Sequence, residues 1–284
     1  AVAGTAPWNA YAVFNDNLSN DGSFVPAVET EAASSDVVVP VVVETGSFES
    51  ELVLFNPSAS AVRARLSYTE SLAAPKGTVG SVTVELGPGA QVVLPQALDR
   101  LRSLGLPVGP RGAASYAGTL AVSFRTGLGT PVPGFAGAKT AAAGTGECEG
   151  KGSFGLFYTA LPASSGAVVA AFVDGLQQTA ATRSNLALWN PSSSVPVSVR
   201  YEVHDGATGA LAATSDPVDL PPLGWAQVDR VLAGAAVTDG WVVVRRTSTG
   251  GAFAAYGVLN DGASPGARTG DGSYVAGVTY YPPD

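Results

Sequence analysis

Glu51-Leu52-Val53-Leu54-Phe55-Asn56-Pro57-Ser58 returns 134 positions later as Asn185-Leu186-Ala187-Leu188-Trp189-Asn190-Pro191-Ser192. Each copy is a short apolar run closed by Asn-Pro-Ser. Both faces of the run are apolar, which suits a strand in the middle of a sandwich sheet. The closing triplet is a turn with a mechanism: Asn hydrogen-bonds its own backbone, while Pro fixes φ and ends the ladder. The strands beyond it match too, Val62-Arg63-Ala64-Arg65-Leu66-Ser67-Tyr68 against Val197-Ser198-Val199-Arg200-Tyr201-Glu202-Val203. There Arg63 and Arg65 alternate with Val62, Ala64 and Leu66, the pattern of a sheet with one wet face. Val82 to Leu86 before Pro88-Gly89 is mirrored by Val218 to Leu220 before Pro222, and Gly118 to Val122 by Gly240 to Val244. That last offset is 122, because the first copy carries extra residues around Arg102 to Ala114. Pro95 to Leu104 sets Leu98, Leu101 and Leu104 three apart, which predicts a short helix or helical turn over one sandwich end.

Counting strands gives about seven per copy, the number in an immunoglobulin-like sandwich. The order of apolar strand, Asn-Pro-Ser, strand, Pro-Gly or Pro-Pro turn and closing apolar strand resembles the tandem repeats of bacterial surface proteins. That resemblance covers nearly the whole chain and rests on turn chemistry rather than active-site residues. It implies immunoglobulin-like modules of an exported protein with a structural or adhesive role and no enzyme activity of their own. The expected fold is all-β: two tandem immunoglobulin-like β-sandwich domains with extra terminal strands. The boundaries read from the sequence are an N-terminal strand segment at 1–22, a first sandwich at 23–150, and a second at 151–284 that includes the C-terminal strand.

A second repeated segment sits at both ends. Ala10-Tyr11-Ala12-Val13-Phe14-Asn15-Asp16, then Asp21-Gly22-Ser23-Phe24-Val25, recurs as Ala255-Tyr256-Gly257-Val258-Leu259-Asn260-Asp261, then Asp271-Gly272-Ser273-Tyr274-Val275. A degraded middle copy reads Gly134-Phe135-Ala136-Gly137-Ala138, then Gly152-Ser153-Phe154, and joins one unit to the next. The chain therefore reads as starting with the last strand of a unit it lacks. Along Trp8 to Phe14, one face carries Trp8, Ala10, Ala12 and Phe14, and the other Tyr11 and Val13. Along Tyr274 to Tyr280, one face carries Tyr274, Ala276, Val278 and Tyr280. Burying four such side chains is worth roughly 6 to 10 kcal/mol as an upper bound, enough to decide where a strand goes. Two placements satisfy this. Either the strands fold back within the chain, or a terminus adds to the sheet of a neighbouring copy and builds a filament.

The composition narrows the partners. Charged residues are 13% of the chain against 46% apolar, and the formal charge of -8 argues against nucleic acid, whose binding needs clustered Lys and Arg. No apolar run is long enough to cross a membrane; Val37 to Val43 is short and Pro40 interrupts it. The start Ala1-Val2-Ala3 and the absence of Met read as a mature exported protein after signal-peptide removal.

No catalytic signature rises above background, and no cofactor or metal is expected. His204, the sole histidine, lies in the hairpin-turn sequence Val203-His204-Asp205-Gly206 and reads as an exposed turn residue. Cys148 sits among Glu147, Glu149 and glycines, where flanking carboxylates disfavour a thiolate, so it reads as an inert free thiol or an intersubunit disulfide. Asn17-Leu18-Ser19-Asn20-Asp21-Gly22 is similar to the start of a calcium loop, but Val28 stands where the loop's closing acid belongs, which leaves a hydrogen-bonded turn. Of Trp189, Trp225 and Trp241, the first is matched by Phe55 and reads as packing. Trp225, after Gly224 in a turn, is the candidate for a sugar contact. The functional expectation is a non-enzymatic structural subunit of an extracellular filament or surface assembly that joins copies of itself through its terminal strands. The competing expectation is a monomeric cell-surface adhesin or carbohydrate-binding module.

Overall fold

A computed structural model describes residues 10–19, 21–28, 33–143, 152–263, 268–269 and 271–280. It is almost entirely β. An N-terminal hairpin of β1 (Tyr11–Asn15) and β2 (Gly22–Pro26) precedes the first sandwich. That sandwich contains β3 (Asp36–Glu44), β4 (Glu49–Phe55), β5 (Val62–Glu70), β6 (Gly77–Leu86), β7 (Gln91–Leu94), α1 (Ala97–Ser103), β8 (Tyr116–Thr126), β9 (Phe135–Ala143), β10 (Ser153–Thr159) and the short β11 (Leu161–Pro162). The second repeats the plan with β12 (Ala170–Gln177), β13 (Thr182–Trp189), β14 (Val197–Asp205), β15 (Leu211–Thr214), β16 (Val218–Leu220), β17 (Trp225–Val228), β18 (Asp239–Arg246), β19 (Ala254–Asp261), β20 (Gly272–Ala276) and β21 (Val278–Tyr280).

The Asn-Pro-Ser turns work alike in both copies. Asn56 and Asn190 are fully buried. Asn56 Oδ1 accepts the Ser58 N–H at 3.0 Å, while its Nδ2 donates to the carbonyls of Ser60 and Gly87, both at 2.8 Å. Asn190 Oδ1 accepts from Ser192 at 2.9 Å, and its Nδ2 donates to Val195 at 2.8 Å and Pro221 at 3.1 Å. One amide thus closes its own turn and ties it to a second, which satisfies carbonyls that the sheets leave over.

In each sandwich one sheet has the order β7-β4-β9-β10 or β17-β13-β19-β20, and the facing sheet runs β3-β8-β5-β6 or β12-β18-β14 with β15 and β16. The corner where Glu44 meets Glu49 links the two sheets of the first sandwich. The all-β reading holds, but the strand order differs from the immunoglobulin order that the strand count suggests. There the first strand joins the second and the seventh joins the sixth. Here the first strand, β3, pairs with the sixth, β8, and the seventh, β9, pairs with the second, β4. The central pairs β4–β7 and β5–β8 are unaffected. Cover on both faces of β3 explains its composition: Val37, Val39 and Val42 enter the first core, whereas Val38 and Val41 turn towards the second sandwich. Pro40 falls at a register shift between Val39 and Val42, where a missing N–H costs no ladder bond.

The predicted helix is α1, and Leu98 and Leu101 anchor it in the first core. Arg102 on α1 forms a two-pronged ion pair with Glu44, at 2.6 and 2.8 Å, which fixes the inserted segment to the end of β3. The two cores meet across a third buried cluster that includes Val38, Val41 and Ala117 from one side and Ala187, Trp189 and Tyr256 from the other. The sheets are thus layered, with an apolar cluster in the seam between the sandwiches. Sequence position 22/23 falls inside the β1–β2 hairpin, and β10, beyond position 151, pairs with β9 of the first sandwich.

Candidate assembly interface

The β1–β2 hairpin turns through Asp16, whose Oδ1 accepts the N–H groups of Leu18 at 2.8 Å and Ser19 at 3.0 Å. This is the hydrogen-bonded turn anticipated for the calcium-like stretch; Asn20 lies outside the described residues. These bonds, with those from Ser153, hold the Asp16 carboxyl well below the usual carboxylate range. The hairpin docks on β10 by polar contacts. Asp16 Oδ2 accepts from Ser153 N–H and hydroxyl, Asp21 Oδ2 accepts the Gly155 N–H at 2.9 Å, and the Ser23 hydroxyl donates to the Gly155 carbonyl at 3.1 Å. Lys139 Nζ lies 4.6 Å from the centre of the Phe14 ring, a cation–π contact.

The pairing within each hairpin revises one sequence match. Gly22 lies opposite Asn15 and Gly272 opposite Asn260, while the residue at that place in β10 is Gly155, opposite Ala141. The middle copy is therefore Gly155-Leu156-Phe157, not Gly152-Ser153-Phe154. Close approach favours glycine at all three places: a Cβ on Gly155 would collide with the Thr140 carbonyl and Ala141, and one on Gly22 or Gly272 would press on the Asn15 or Leu156 side chain.

All five residues of β1 are exposed, and among the described residues its outer edge carries no partner strand. The equivalent strands are paired on both edges, β9 by β10 and β4, β19 by β20 and β13. Of the N-terminal residues singled out in the sequence, Ala10, Tyr11, Ala12, Val13 and Phe14 all sit at this open strand, and Trp8 lies outside the described residues. The C-terminal ones pair within the chain. Tyr274 is opposite Val258 and Ala276 opposite Tyr256, while Val278 is opposite Phe172 and Tyr280 opposite Ala170. Of the two placements open to terminal strands, the C-terminal strands take the first.

Tyr274 packs against Tyr256 and Tyr158, with ring centres 5.3 and 5.8 Å away, and so helps to join β10 of the first sandwich to β19 and β20 of the second. Burial pushes the hydroxyls of Tyr158 and Tyr256 above the usual tyrosine value. Asp271, just before β20, is pushed up to about 7 by burial and by its hydrogen bond and proximity to the carboxyl of Asp21.

Trp225 is not an exposed turn residue. It opens β17 half-buried in the seam, where Nε1 donates to the Tyr256 hydroxyl at 3.1 Å. His204 is likewise relocated, to the far end of β14, with its ring stacked on Trp241 at 4.0 Å and 8°. Phe172 lies beside Trp241, and Tyr280 beside Phe172, at 6.1 and 6.0 Å. These four half-exposed rings lie across the outer face of the second sandwich. In the first sandwich, Val38 and Thr119 occupy the places of Phe172 and Trp241, and there the second sandwich buries them. Cys148 lies outside the described residues. No described helix is long and apolar enough to cross a membrane.

No protein-family model matches this chain, and no curated protein matches it.

Proposed function

We propose that the chain is a non-enzymatic structural subunit of an extracellular filament or surface assembly, joined head to tail to copies of itself by terminal β-strand addition. The observation that carries this reading is the open edge of β1 in a hairpin whose two internal equivalents are both paired at that edge. An unpaired strand edge with Tyr11, Val13 and Phe14 exposed is a template for another chain. Such an addition is heterologous, so it extends rather than closes. The two sandwiches then serve as tandem modules of the kind found in bacterial surface proteins, a setting that agrees with the low charge. Deleting residues 1–16 tests the reading: filaments or oligomers seen by electron microscopy and light scattering should be lost. Unchanged assemblies after the deletion would eliminate β1 as the connector.

A second reading is favoured by the ring row Tyr280–Phe172–Trp241–His204, which is wide enough to carry a sugar chain on a monomeric adhesin. Glycan binding lost on Trp241→Ala but kept on Trp225→Ala, with a monomer by size analysis, would select it over assembly.

A further inference from the structure

We infer that the β1–β2 hairpin of one copy closes the second sandwich of another, lying along β13 where β19–β20 lies in its own chain. This rests on the head-to-tail reading above and names its acceptor. Three hairpins of this design occur, and the first and third are near duplicates. Ala10, Tyr11, Val13, Asn15 and Asp16 recur as Ala255, Tyr256, Val258, Asn260 and Asp261. Asp21, Gly22, Ser23 and Val25 recur as Asp271, Gly272, Ser273 and Val275. Within the paired strands Ala12 for Gly257, Phe14 for Leu259, Phe24 for Tyr274 and Pro26 for Ala276 differ, and the sequence joining the strands is longer in the third hairpin. The internal register is also shared, with Val13 opposite Phe24 as Val258 is opposite Tyr274. The middle hairpin, which closes the first sandwich, keeps almost none of these residues. The N-terminal hairpin thus carries the residues that fit the groove along β13, although in its own chain it does not occupy that groove.

Substituted in register, β1 sets Tyr11 opposite Ala187, Val13 opposite Asn185 and Asn15 opposite Arg183, as Tyr256, Val258 and Asn260 stand now. The environment changes sharply for these side chains. Tyr11 and Val13 are 68% and 51% exposed, whereas Tyr256 and Val258 are 1% and 6% exposed. The tight spot is Ala12 in place of Gly257, where a Cβ meets Leu176 Cδ2 at 2.8 Å and Val173 Cγ1 at 3.0 Å, side-chain methyl groups rather than backbone. Release of β1–β2 from its own chain breaks mainly the polar contacts to Ser153 and Gly155, because none of its side chains belongs to the buried apolar clusters. The neighbour's β19–β20, similar in sequence but with β19 three residues longer than β1, must leave β13 for the exchange to occur.

The test places a cysteine on each side of the inferred pair, Val13→Cys with Asn185→Cys, in a full chain carrying Cys148→Ser. Tyr11→Cys with Ala187→Cys provides a second pair should the Asn185 change prevent folding. Cross-strand neighbours of this kind come within disulfide reach. Mild oxidation of mixed isotope-labelled and unlabelled chains should give a ladder of linked oligomers on non-reducing electrophoresis. Mass spectrometry should find position 13 joined to 185, or 11 to 187, between chains, and each single variant should lack that link. If the parent chain assembles by light scattering but neither pair links, the exchange is wrong and head-to-tail assembly stands. If the chain stays monomeric at every concentration and no link forms, both fail. A link found only within single chains also overturns the exchange.

Discussion

The carboxyl of Asp271 is hydrogen-bonded to that of Asp21, tying the start of β20 to the N-terminal hairpin. Two carboxyl groups bond in this way only when one holds a proton. Asp271 is the group raised by folding, to about 7, so its contribution is complete below the ordinary carboxylate value of about 4. That contribution fades as pH rises through 7. Hydrogen exchange at the Gly155 amide, which donates to Asp21, should therefore quicken between about pH 5 and pH 8 beyond the intrinsic rate change. Asp271→Asn should remove that extra dependence. Asp16 acts with the opposite sign: its lowered carboxyl supports the turn above the ordinary range and loses that role on acidification.

Asn56→Ala and Asn190→Ala should each cost about 2 to 3 kcal/mol, because each strands carbonyls inside a turn that water reaches poorly. The sites belong to different sandwiches and share no partner, so the double variant should show the sum to within about 0.5 kcal/mol. Urea unfolding of the four proteins measures this. A double variant no worse than either single one would mean that the two turns depend on each other.

Glu70 is buried at the end of β5, where it accepts the Tyr68 hydroxyl at 2.8 Å and the N–H groups of Leu72 and Ala73 at 2.7 and 2.9 Å. Burial, and then the Glu70 charge, raise the Tyr68 hydroxyl above its ordinary value. Glu70→Ala should cost about 3 kcal/mol or more, since it leaves several buried donors unpaired at once. Glu70→Gln should cost less, because its carbonyl still accepts. Equal losses in thermal denaturation would show that the charge and the second carboxylate oxygen, not shape or the one acceptor that Gln keeps, govern the site.

Trp225→Ala should weaken the seam rather than a binding surface. It removes the bond to the Tyr256 hydroxyl and opens space beside Trp189 and Tyr256, at about 3 kcal/mol or more. Calorimetry should then resolve a broadened or split transition, whereas the parent should melt in one step.

Much of the architecture is readable from the primary structure because local chemistry repeats. The two Asn-Pro-Ser turns, the alternation at Arg63 and Arg65 and the Leu98/Leu101 spacing each encode an element through short-range physics. Partner choice is not local. Alternation says that β3 and β9 are strands, but not that β3 lies beside β8 and β9 beside β4. The continuous valines of β3 did hold a signal, since a strand without a polar face must be covered twice. For the candidate interface, the likeness of β1 to β19 is visible at once, whereas the back-pairing of β20 and β21 depends on register that residue type leaves undetermined. His204 and Trp225 are misjudged from sequence for one reason: flanking Asp-Gly or Gly marks a turn nearby but not which residue begins the ladder.

The seam between the sandwiches has a mechanical meaning. Thr119 donates to the Leu223 carbonyl across it at 2.7 Å, and Trp225 N–H reaches Ser71 at 3.0 Å, within an otherwise greasy contact. Beads on a string swivel about their linkers, but these two halves are glued flank to flank. That joint removes the swivel a bare linker would allow, which makes the molecule a stiff brick rather than a flexible tether.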